Sequence, residues 1–185
     1  MWNLGEIKSA IQTEMQLDPG VISDSERTRY INDCINDLNA LGLFDKIADI
    51  NFVNGIASLP TDFSNIITLT YNNIRLKPSS PTYASSGVPP AYYSVGYNQL
   101  QIYPQPEGTC TCRMRYTYKL PSLVDNSDIP ELPEGYGNIL FLYAVAMANR
   151  KNGNIGIANV YYNDYMAKKN DFITEMNIRH NTNVN

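Results

Sequence analysis

Residues 50–58 read Ile50-Asn51-Phe52-Val53-Asn54-Gly55-Ile56-Ala57-Ser58. Ile50 and Phe52 recur with the period of two that alternates side chains across a strand. Asn54-Gly55 is the strongest short hairpin signal, and Ile56 to Ser58 then reads as the returning strand. This stretch decides the fold class, because the period of two runs only through the middle of the chain.

Upstream, Leu4, Ile7, Ile11 and Met15 recur at spacings of three and four, which puts them on one face of a helix. Asp18-Pro19-Gly20 is expected to stop it. Ser23 followed by Glu26 is a capping box that starts a second helix, whose apolar stripe is Ile31, Cys34, Ile35, Leu38 and Leu41. Gly42 suits its C-terminal cap. Downstream, Ile66 to Tyr71 and Ile74 to Leu76 predict a second hairpin across Asn72-Asn73. Strands resume at Tyr92 to Val95, turn at Gly96-Tyr97-Asn98 and return through Leu100 to Tyr103. Gly108 opens the clearest strand: Cys110, Cys112, Met114, Tyr116 and Tyr118 alternate with Thr111, Arg113, Arg115 and Thr117.

Between these strands, Lys77 to Pro90 carries Pro78, Pro81, Pro89 and Pro90 among Ser, Thr and Gly, and is expected to be a long exposed loop with no ladder. Leu120 to Pro133 reads as loop again. Helical spacing returns from Glu134 with Ile139, Leu140, Tyr143, Ala144, Met147 and Ala148, and stops at Asn152-Gly153. A last helix is expected from Ile155 to Ile178, with Ile157, Ala158, Tyr161, Tyr165, Phe172 and Met176 on its apolar side. Arg179 to Asn185 is polar and aperiodic, so it is expected to be disordered until a partner orders it. The fold class expected is α+β. The two ends (1–45 and 121–185) form a four-helix bundle, and 46–120 form an inserted small antiparallel β lobe of five to seven strands, a sandwich or an open barrel.

At 185 residues with 43% hydrophobic residues, the chain can bury a core of its own. Its net charge of −4 and pI of about 4.9 do not suit a phosphate-binding surface, and its basic residues are scattered. No run approaches the roughly 20 apolar residues of a membrane-spanning helix, so no membrane partner is expected. The N-terminal residues lack the basic and apolar segments of a signal peptide. The three cysteines, Cys34, Cys110 and Cys112, read as buried reduced thiols and not as a zinc site.

The search for chemistry returns little. The only histidine, His180, has no partner in its polar neighbourhood, which leaves triads and imidazole bases without a candidate. The carboxylate pairs Asp45/Asp49, Asp125/Asp128 and Glu131/Glu134 read as solvated or capping groups. Asp125-Asn126-Ser127-Asp128 lacks the glycine and glutamate of a calcium loop. Gly153 and Gly156 follow no strand and read as a helix–helix turn. No catalytic residue, metal or cofactor is assigned, and a non-enzyme is expected. Fourteen tyrosines against one tryptophan provide side chains that suit wet protein interfaces. Most cover the sheets and helices; Tyr83, Tyr92, Tyr93 and Tyr97 are candidates for meeting a partner. A stand-alone protein- or carbohydrate-binding module is the alternative reading.

One resemblance runs nearly the length of the chain. Ile31-Asn32-Asp33-Cys34-Ile35, Leu59-Pro60-Thr61-Asp62-Phe63 and Leu100-Gln101-Ile102-Tyr103-Pro104-Gln105-Pro106 follow one another. Tyr116-Thr117-Tyr118, Ser127-Asp128-Ile129-Pro130-Glu131-Leu132-Pro133 and a helix pair joined near Gly153 complete the order. In this order and spacing the chain resembles the head–tail connector, or adaptor, proteins of tailed bacteriophages, particularly the tail tubular protein A type. Asn154 departs from an aspartate common there. The resemblance implies a virion ring, usually of twelve copies, between the portal protein and distal tail or nozzle proteins, with DNA only as passing cargo. It implies portal docking by Ile178, Arg179, His180, Asn181, Thr182, Asn183, Val184 and Asn185. It implies a distal contact at Lys77, Pro78, Pro81, Tyr83, Pro89, Pro90, Tyr92 and Tyr93.

Overall fold

In the computed structural model, residues 2–15, 21–79 and 90–182 are described, the last three without their side chains. The protein is α+β, with four helices and one eight-stranded sheet among these residues. It divides into two units: residues 1–43 with 120–185, and residues 44–119.

The helical unit holds α1 (Leu4–Met15), α2 (Asp24–Asn39), α3 (Asn138–Lys151) and α4 (Ile155–Thr182). Local chemistry starts the first two helices. Ser23 and Glu26 form the reciprocal capping box, each side chain bonding the other's backbone N–H. Asn3 and Glu6 make the same exchange at the start of α1, at 2.9 Å in both directions. The stop expected at Asp18-Pro19-Gly20 falls outside the described residues. α3 is buried around much of its circumference, at Ile139, Leu140, Ala144, Val145 and Ala148, because α1, α2 and α4 all pack on it. Leu4, Ile7 and Ile11, then Ile31, Cys34, Ile35 and Leu38, then Ala158, Tyr165, Phe172 and Met176 complete this core.

Two differences from the sequence reading concern α4. Ile157, expected on the apolar side, is exposed; it lies one position off the face that Ala158 and Tyr165 present to α3. The helix also does not stop at Ile178 but continues to Thr182. Arg179 pairs with Glu175 one turn back, and no glycine or proline interrupts the segment, so its polarity solvates the helix without ending it.

The second unit contains β1 (Asp45–Val53), β2 (Ile56–Ser58), β3 (Phe63–Tyr71), β4 (Ile74–Arg75), β5 (Lys77–Pro78), β6 (Tyr92–Val95), β7 (Gln99–Tyr103) and β8 (Thr109–Tyr118). Both Asn turns have the positive φ angles of the tight hairpin turn: Asn54 at 48° with Gly55 at 75°, and Asn72 at 47° with Asn73 at 64°. The spatial order is β4-β3-β8-β1-β2-β7-β6-β5. β8 therefore lies between β1 and β3, antiparallel to both. Strands at opposite ends of this order, β4 and β5, are separated in sequence by Leu76 alone. The sheet must curl until its margins meet, giving a nearly closed barrel-like sheet and not a sandwich. Leu76 is itself in the core, and its N–H donates to the Leu69 carbonyl at 2.8 Å. Around it pack Phe52, Leu69, Leu100, Ile102, Cys112, Met114 and Tyr116, the inward alternates of their strands. Eight strands exceed the five to seven expected, because two-residue strands leave no periodicity to read.

Candidate interaction surface

The segment assigned to a distal contact is rooted in the sheet. Lys77 and Pro78 form β5 and pair in parallel with Tyr92 and Tyr93, which corrects the reading of Lys77 to Pro90 as a loop without a ladder. Proline is tolerated here because β5 is a short strand at the end of the sheet order, so its missing N–H breaks no ladder on a far side. The Lys77 N–H donates to Ala91 O at 2.9 Å and the Ser79 N–H to Tyr93 O at 2.8 Å. Both ends of the intervening chain are thus clamped side by side. Pro90 is buried, while Pro81, Tyr83 and Pro89 lie outside the described residues. Tyr92 and Tyr93 are half-buried; burial pushes the Tyr93 phenol up, and the Arg75 charge opposes that shift. Tyr97, at the neighbouring β6–β7 turn, is 97% exposed. Its turn is fixed by the Gly96 N–H on Gln99 O at 2.8 Å.

The segment assigned to portal docking is the last turn of α4. Ile178 and Arg179 are exposed, His180, Asn181 and Thr182 continue the helix, and Asn183, Val184 and Asn185 lie outside the described residues. Its base is fixed by the Tyr136 hydroxyl, which donates to Glu175 at 2.7 Å. That bond, with the Arg179 guanidinium, holds the Glu175 carboxyl below the usual range.

Several ionisable groups elsewhere hold elements together. Asp37 accepts from the Tyr165 hydroxyl and from Lys169, tying α2 to α4. Burial keeps the Cys34 thiol beside it well above its ordinary value. Cys112 is pushed up to about 12 by burial in the barrel core, and all three cysteines are free. Asp45 pairs with Arg115 across β1 and β8. Asp128 caps the backbone N–H groups of Val124 and Asp125 at 2.7 and 2.8 Å. An open groove of about 740 Å³ is lined by Trp2, Glu6, Lys8, Asp24 and Arg27 among others. Its carboxylates are committed: Glu6 to the Asn3 cap, Asp24 to Lys8 at 2.7 Å. Lys8 lowers the Asp24 pKa chiefly through that bond. Among the described residues no cluster of His, Cys, Asp and Glu is placed to hold a metal ion. No described helix is long and apolar enough to cross a membrane.

Sequence reasoning missed the role of two asparagines on α2. Asn32 exchanges both its amide bonds with the Leu123 backbone, at 2.9 Å each way, and Asn39 does the same with Leu120, at 3.1 and 2.8 Å. They stand seven residues apart beside the buried stripe, which is the one signal that could have identified them. These bonds fix where the chain re-enters the helical unit.

No curated protein matches the chain. A family model described as SU10 adaptor protein matches residues 2–184, nearly its full length.

Proposed function

The chain belongs to the SU10 adaptor protein family, and from that premise we propose that it is a structural, non-enzymatic head–tail adaptor of the tail tubular protein A type in a tailed phage. The family match over residues 2–184 carries this reading. In it, copies form a ring, of twelve by the resemblance, that joins the portal to the tail or nozzle and lets DNA pass. The four helices act as a bundle drawn from both ends of the chain. The end of α4 docks on the portal, and the segment rooted at β5 and β6 meets distal tail proteins. A closed ring requires two unlike faces on each subunit. A net charge of −4 suits a conduit through which DNA moves without adhering.

Electron microscopy of the protein mixed with the portal of its phage tests the reading: a ring seated on the portal supports it, and bare portals overturn it. The docking assignment has its own test. Removing 178–185 abolishes portal binding, with circular dichroism showing the helices retained, since Met176, the last buried residue of α4 among those whose side chains are described, is kept. Undiminished binding by the shortened chain overturns the docking assignment.

A further inference from the structure

We draw no further inference here: the strongest candidate, the uncharged surface stripe that Val160, Asn163, Ala167, Asn170, Thr174 and Asn177 present along the exposed side of α4, carries nothing, because nothing in the structure shows what covers it.

Discussion

Asn39 shows what one side chain does in this molecule. A primary amide carries the donor and acceptor of a peptide group, so Asn39 pairs with Leu120 as a neighbouring strand would. Asn32 repeats the device at Leu123. Asn39→Ala removes both bonds and leaves the Leu120 N–H and C=O without their partner, a cost of about 1–3 kcal/mol. Urea unfolding followed by circular dichroism is expected to show that loss, with Asn39→Asp recovering only part because it cannot donate. The sequence displays Asn32 and Asn39 as polar positions seven residues apart on a helix but not what they bond, since their partners lie 91 and 81 residues away. Residues whose meaning is local were legible instead. Ser23 and Glu26 bond within one turn, and Asn54-Gly55 sets its own backbone angles.

Among elements, α2 is bound at its first turn by a carboxylate that belongs to two structures. Glu26 closes the capping box and also pairs with Lys151 of α3. The Lys151 bond, then the Ser23 bonds, lower its pKa from 4.5 to about 2. A depressed acid stabilises the fold above its unfolded pKa, and that contribution is lost as pH falls through the folded value. The start of α2 should therefore hold above about pH 4.5 and loosen between there and pH 2. An NMR titration of the Ser23 amide is expected to follow that window, and Glu26→Gln to flatten it. Elements of ten or so residues showed themselves by period, as α2 and β8 did. Lys77–Pro78 did not, because two residues have no period and because the partners that make them a strand, Tyr92 and Tyr93, lie beyond a proline-rich stretch. The end of α4 was misread for a related reason: 179–182 lack an apolar stripe, yet they continue a helix already nucleated upstream.

Across the whole molecule, residues 44–119 form one uninterrupted stretch whose two ends meet. Asp45 pairs with Thr117, and the Tyr118 N–H donates to Phe44 O at 2.9 Å. The stretch has its own core from Phe52 to Tyr116. It is expected to fold when produced alone, giving a dispersed amide spectrum and a cooperative thermal transition; a collapsed spectrum would show that it depends on the helices. The division into helical ends and a strand-rich middle was legible, because a change of period survives without any knowledge of contacts. The curling of the sheet was not, since it follows from strand order, and strand order is set by pairings such as Asp45 with Thr117 that the linear pattern does not announce.

The place of β8 between β1 and β3 has a consequence in time. During synthesis β1 and β3 leave the ribosome dozens of residues before the strand that joins them, so each waits with one margin unsatisfied until Tyr118 has emerged. The last strand made is the keystone of its arch, and the barrel can acquire its cooperative stability only when that piece drops in. Pairings this distant in the chain make for slow closure, which places the folding bottleneck at the arrival of residues 109–118.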